Sequence, residues 1–498
     1  MSSIALYQDY INKMRKIADV KNTLALMQWD QETYLPSKGA DIRGQQMATL
    51  SEIAHELFAK EDLGNTLQEL SSADDLSVIQ QRNVALTLED YNKNKKYSGA
   101  FVRAMSEATS KSYHAWIEAR KQNEFNVFKN ELDALVELKR EETHILGFEK
   151  HPYDALLNEY EKGATVIWLD ELFQQLRQPL KEILSVVTQR QQPDTSFLHQ
   201  HFDKDAQWAF GLDMLKKIGY DFEAGRQDIS AHPFTTSFNA QDVRVTTRID
   251  ENDFTSMTWS CLHEGGHGLY EQGLSLKEYG LPSGEYCSLG IHESQSRLWE
   301  NCIGRSLEFI QHNIQAIQHY FPVLKEITAS QLFNAVNKVQ PSLIRTEADE
   351  LTYHFHVMIR YEVEKRLIDG SLPVKDVPEF WNEHYKNYLG VNVPDAKNGC
   401  LQDIHWSHGS FGYFPTYSLG SLYAAQFFAF MQKKYPYLTN EIAQGNYSNV
   451  HQWLQANIYQ YGKTYTSNEL CNKATGEPLE MSYFMQYLNN KYQLVYHD

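Results

Sequence analysis

Residues 263–267 read His-Glu-Gly-Gly-His, and those types at that spacing assemble most of a metal-dependent hydrolase site from one helical turn. On a helix, positions four apart stack on one face, so the imidazoles of His263 and His267 can reach a single metal ion. Glu264, beside the first of them, is then placed to take a proton from a water activated by that ion. The alternative is two surface histidines on an ordinary amphipathic helix. The flanks favour a helix: Phe254, Met257 and Cys261 recur at helical spacing, Asn252 or Asp253 supplies a cap, and Gly273 supplies a stop. Gly265 and Gly266 each cost about 1 kcal/mol relative to Ala in a helix interior. Two such residues beside the ligands predict that another element packs very close to this helix.

Catalytic zinc takes three protein ligands and leaves one position for water, so a third ligand is required elsewhere. The segment IHESQSRLWENC, starting at Ile291, predicts a second helix with Ile291, Gln295, Leu298 and Cys302 on one stripe and Glu293 on another. Glu293 is the preferred ligand because His-His-Glu is an established catalytic zinc set; His292 competes with it. Glu300, seven residues after Glu293, is assigned to accept the outer N–H of a ligand histidine. Attack on a carbonyl also needs donors aimed at the oxyanion that forms. Residues 399–420, GCLQDIHWSHGSFGYFPTYSLG, hold more His, Tyr and Gly than a hydrophobic core requires. His405, Tyr413 and Tyr417 are the candidates there and His408 is a neighbour, the competing reading being packed aromatics with satisfied polar ends.

Six short motifs stand in order: HPF at 232–234, DVRVT at 242–246, HEGGH, HESQ at 292–295, IRTEAD at 344–349 and GCLQDIHW at 399–406. With them, and with WDQETYLPSKGADIRG from Trp29, the chain resembles the carboxypeptidase Taq family of zinc metallocarboxypeptidases over essentially its whole length. It departs from the family at the first glycine of HEGGH, where a bulkier residue is more usual. The resemblance implies zinc ligands His263, His267 and Glu293, a general base Glu264, and His405 with Tyr417 stabilising the tetrahedral intermediate. It implies that Arg345 binds the free C-terminal carboxylate of the peptide, with His232, Asp242, Arg244 and Thr246 lining the substrate side; Tyr413, from the aromatic loop, is assigned to substrate binding as well. Arginine suits bidentate carboxylate recognition. Two alternatives stay open: Arg345 paired with Asp349 four residues along a helix, and Arg244 as the anchor. The implied activity is release of single C-terminal amino acids with broad tolerance and proline disfavoured. The implied assembly is a homodimer with one Zn2+ per subunit, replaceable by Co2+ or Mn2+. A metallo-oligopeptidase on the same scaffold is the nearer alternative, and a zinc-stabilised peptide-binding protein the further one.

Bulk properties fit such an enzyme. A formal net charge of −18 over 498 residues argues against nucleic acid or an anionic membrane as a partner. Five cysteines, at 261, 287, 302, 400 and 471, show no framework spacing and suit a reducing, cytoplasmic compartment. The N-terminal segment is amphipathic and lacks the apolar core of a secretory signal, and the apolar stretch from Leu419 to Met431 reads as a buried helix.

The elements that must position these residues are mostly helical. Residues 4–28, 40–60, 76–92, 98–146, 168–190, 205–218, 305–320 and 342–369 carry apolar positions at three- and four-residue steps, the last opened by Pro341 and Ser342 and closed by Gly370. Residues 232–250 break the pattern, FTTSF and VRVTTRI alternating as strands do. The edge of that sheet can hold an extended peptide by main-chain hydrogen bonds. No linker divides the chain. The expected fold is a single large, mainly α domain over 1–498 with a deep active-site cleft and a small β-sheet beside the zinc-binding helix. Within it, 1–230 form the cleft wall or lid, 231–420 the catalytic core motifs and 421–498 the C-terminal helices.

Overall fold

The structure, a computed structural model, describes residues 2–496. Among the described residues the chain forms twenty α-helices and one three-stranded sheet, and no helix is long and apolar enough to cross a membrane. The mainly helical fold with a small sheet is borne out. Contacts gather the chain into two compact units, each made of three stretches. Met1–Lys95, Asp194–Val336 and Tyr423–Leu479 form the first, and Lys96–Pro193, Asn337–Leu422 and Glu480–Asp498 the second.

In the first unit, the helix Ser3–Thr33 buries Leu6, Tyr7, Tyr10, Met14 and Ile17 along one face. They pack with Leu63, Leu67 and Leu70 of the helix Glu61–Ser71 and with Val84 and Tyr91 of Val78–Asn94. Each such side chain contributes about 1.5–3 kcal/mol when taken fully out of water. The sheet comprises β1 (Gly225–Ile229), β2 (Thr235–Asn239) and β3 (Asp242–Thr247) in the order β1-β3-β2, with β1 parallel and β2 antiparallel to β3. Alternation buries Val243 and Val245 and leaves Arg244 on the other face. β1 lacks that signal because its buried positions are the polar Gln227 and Asp228. The sheet packs on the helix Phe254–Gln272, which holds the HEGGH motif. Asp253 caps that helix, accepting from the Thr255 N–H at 2.8 Å, and Gly273 follows its last residue as expected.

In the second unit two helical expectations need correction. The stretch 98–146 is two helices, Gly99–Gln122 and Asn126–Leu146, packed against each other. Asn123 takes a left-handed φ of 56° and the Glu124 N–H returns to the Ala119 carbonyl at 2.9 Å, which closes the first helix while the apolar period runs on past it. The helix expected from 342 begins only at Tyr353 and runs to Asp369. Asp349 decides this: its Oδ1 accepts from the Leu351 and Thr352 N–H groups at 3.0 and 2.9 Å, and its Oδ2 from the Thr352 hydroxyl at 2.6 Å. Committed to that turn, Asp349 is not the partner of Arg345, which sits in a single 3-10 turn, Arg345–Glu347. Gly370 closes the helix with a φ of 84°, as its position predicts.

Candidate active site

The motif helix presents His263 and His267 on one face with their rings 5.0 Å apart. A second helix, Leu289–Arg297, lies against it and carries Glu293. The glycines make that approach possible. A Cβ on Gly266 would meet the Gln295 carbonyl oxygen at 2.5 Å and the Ser296 Cα at 2.8 Å, whereas one on Gly265 would meet the side-chain ends of Leu215 and Ile218 at 2.7 and 2.8 Å. Backbone therefore presses on Gly266, as the glycine pair predicts.

The nitrogen and oxygen atoms that this contact brings together have the separations of a common coordination sphere. Glu293 Oε2 is 3.7 Å from His263 Nε2 and 3.5 Å from His267 Nε2, and the ligand atoms of all three residues lie within 4.8 Å of one another. Atoms bound to zinc at about 2.0–2.2 Å in a tetrahedron sit about 3.3–3.6 Å apart. Arg297 bonds Glu293 and Glu300, and Arg305 bonds Glu300, so these two carboxylates and two guanidiniums cancel in formal charge. Glu300 Oε2 is 2.9 Å from His263 Nδ1, so the expected outer partner is in place and turns Nε2 inward. Leu298–Gly304, where Glu300 sits, is a π-helical turn, a widening that recurs at functional sites.

His292 is not in the ligand group. Its ring stacks on His267 at 4.3 Å and its Nε2 bonds Glu271 at 2.9 Å. Burial, helped by the His292 charge, pushes His267 down to about 3 and so keeps it in the neutral form that binds metal. Burial alone would raise the Glu293 carboxyl, yet the charges of Arg297 and His263 and the hydrogen bond from His267 hold it well below the usual carboxylate range. Glu264 is buried next to His263 in the chain and accepts a 2.6 Å hydrogen bond from Thr235 Oγ1 on β2. Thr235 escapes sequence reasoning, because a strand threonine carries no sign of the helix 29 residues on that it will touch.

The remaining predicted residues fall into two further groups. In the first unit, His232 is exposed in the loop between β1 and β2, and Thr246 Oγ1 bonds Phe234 N and Ser230 Oγ at 2.9 and 2.7 Å, holding that loop. Arg244 pairs with Asp242 at 2.9 and 3.0 Å and lies 4.3 Å over the Trp29 ring. In the second unit, Arg345 donates to Asp403 Oδ1 at 3.0 and 2.8 Å and to Tyr353 OH at 2.8 Å, and stacks 4.8 Å over Tyr417. Asp403 also takes Arg360, through its Oδ2 at 2.6 Å. Burial would raise the Asp403 carboxyl, but the two guanidiniums hold it well below the usual range. Asp403 and fully buried Arg360 are absent from the sequence-based site. The available signal was an arginine inside the apolar run of the helix Tyr353–Asp369. His405 Nε2 lies 3.3 Å from Tyr417 OH, and its ring is 5.3 Å from that of Tyr413 and 4.5 Å from that of Phe414. His408 is exposed and packs on Tyr113, as a neighbour would.

Comparison with known proteins agrees with this chemistry. A profile described as carboxypeptidase Taq (M32) metallopeptidase matches residues 9–492. The chain belongs to the carboxypeptidase Taq (M32) family. Within that family it is 37% identical to carboxypeptidase 1 of Bacillus subtilis, with 98% of each chain covered, and 38% identical to thermostable carboxypeptidase 1 of Thermus thermophilus, with 100% of each covered. The crystal structure of the M32 carboxypeptidase from Deinococcus radiodurans superposes with a TM-score of 0.97 at 37% identity, covering 99% of this chain and 100% of that one. The protein is a metallocarboxypeptidase, and its family implies a divalent metal, for which His263, His267 and Glu293 form a fitting group.

Proposed function

We propose that this enzyme is a zinc carboxypeptidase that releases single residues from the free C-terminus of peptides, with broad tolerance and proline disfavoured. The observation that carries the proposal is the His263–His267–Glu293 group with Glu264 beside it, three ligands and a base from two helices. Zinc, with cobalt or manganese able to replace it, supplies a Lewis acid for the scissile carbonyl and makes a water acidic. Glu264 accepts the proton of the attacking water and returns it to the leaving amine. His405 and Tyr417 donate to the oxyanion, and Tyr413 with His232, Asp242, Arg244 and Thr246 contact the peptide. Arg345 pairs with the terminal carboxylate. Supporting this last role, two guanidiniums share the single carboxylate of Asp403, leaving a formal charge of +1, and only three of the five N–H donors of Arg345 are committed. The proposal includes a cytoplasmic homodimer with one metal per subunit and a single domain over 1–498.

The burial of Arg345 and its bonds to Asp403 favour one competing reading, an oligopeptidase that ignores the terminal carboxylate. Hydrolysis of a blocked dipeptide and of its C-terminal amide, each with and without chelator, separates the two. Cleavage of the free acid alone, lost with chelator and restored by zinc or cobalt, supports the carboxypeptidase. Equal cleavage of the amide removes Arg345 from its role.

A further inference from the structure

The segment from His405 to Tyr413 is gripped on both flanks by one buried carboxylate that the reaction above does not use. Glu364, on the helix Tyr353–Asp369, is fully buried. Its Oε1 accepts from the Trp406 indole N–H at 2.8 Å, and its Oε2 accepts from the Gly412 backbone N–H at 2.8 Å and from the Tyr153 hydroxyl. Trp406 follows His405 directly and Gly412 precedes Tyr413 directly. All three donors are neutral groups, and burial pushes the carboxyl up to about 7 against these hydrogen bonds and the Lys139 charge. Gly412 has a φ of 100°, and a Cβ there would meet the Leu156 carbonyl oxygen at 2.7 Å, so only glycine lets this backbone lie against the helix Pro152–Tyr160.

His405 needs such external support. Its Nε2 has one long contact, the 3.3 Å approach to Tyr417 OH, and its Nδ1 is buried with no hydrogen-bond partner among the described residues. Hydrogen bonds hold this imidazole weakly, so its pose depends on the rings of Tyr413 and Phe414 packed on it and on the path of the backbone that carries all three.

We propose that Glu364 is the positioning residue for His405, fixing the His405–Tyr413 segment through paired bonds to Trp406 and Gly412. This rests on the oxyanion role given to His405 above. Glutamine has one acceptor oxygen and one NH2, and neither the indole nor the backbone N–H can turn round to accept from it. Glu364→Gln therefore sets N–H against N–H on one flank and frees that flank.

The test is a double-mutant cycle on the full-length, metal-loaded enzyme, with kcat and KM measured on a blocked dipeptide. His405→Gln is expected to lower kcat. Glu364→Gln is expected to lower kcat about tenfold with KM within about twofold, and to change kcat less than about twofold when His405 is already Gln. If His405→Gln leaves kcat unchanged, the oxyanion reading fails and takes this proposal with it. If His405→Gln lowers kcat but Glu364→Gln does not, or costs the same in both backgrounds, the proposal alone is overturned. Trp406→Phe, which removes one donor and adds no charge, answers for a Glu364→Gln chain that does not fold. Its kcat loss is expected to be smaller and to vanish beside His405→Gln, and an equal loss in both backgrounds overturns the proposal.

Discussion

In the proposed reaction, Glu264 and His405 act in the chemistry without holding the metal. Glu264 is bonded to Thr235 and lies outside the ligand group, so Glu264→Gln should keep its metal by elemental analysis and lose at least about a hundredfold in kcat. Retained activity would move the base elsewhere. His405 titrates differently folded and unfolded. Burial pushes it down to about 3 from an ordinary 6.5, the Arg345 and Arg360 charges adding to burial against Asp403. Between those values the unfolded chain binds a proton that the folded one refuses, so stability falls as pH drops from 6.5 towards 3 and this group adds no slope above 6.5. Its share is at most about 1.4 kcal/mol per pH unit. Urea midpoints for His405→Gln should therefore fall less steeply between pH 6 and 4 than for the parent, and identical slopes would contradict neutral burial of the ring. Much of this scale was legible in the sequence. Four-residue spacing is a local property, and the pairing of His263 with His267 follows wherever a helix forms. The partner of Arg345 was not legible: Asp403 lies 58 residues away, while the nearer Asp349 is consumed by the turn that opens a helix.

The contact between the motif helix and Leu289–Arg297 decides how close Glu293 comes to the histidines, and Gly266 sets it. Alanine there gains about 1 kcal/mol of helix propensity but drives a methyl into backbone at 2.5 Å. Backbone cannot rotate away. Gly266→Ala is expected to push the Glu293 helix outward and to lower metal affinity at least about tenfold, read by competition with a chromophoric chelator. Gly265→Ala meets only the ends of Leu215 and Ile218, which can change rotamer, and should hold metal as the parent does. Equal affinity in the two variants would refute this account of the glycine pair. At element scale the sequence was informative where the period was strong and silent where a turn interrupted it. Residues 98–146 keep a helical period through the left-handed Asn123, and β1 buries polar residues that look like a loop.

For the whole molecule, the folded state alone gathers His263, His267 and Glu293, so a metal held by them should act as a folding ligand. At a hundred times its dissociation constant it adds about 2.7 kcal/mol, which for a chain of this length raises Tm by about 2–3 °C. Calorimetry with and without chelator measures this, and an unchanged Tm would mean that the group does not hold a metal. Sedimentation over a concentration series tests the proposed homodimer. By itself the sequence determined the helical class, the small sheet, and the pairing of His263 with His267 on one helical face beside Glu264, because each follows from periods of a few residues. Only the tertiary structure decided that Glu293 rather than His292 joins the histidines, that Thr235 holds Glu264, and that Asp403 serves two arginines. The same holds for the two units interleaved from six stretches, whose boundaries no change in composition marks. These pairings join residues tens of positions apart, and packing and charge choose among partners only after the chain has closed those loops.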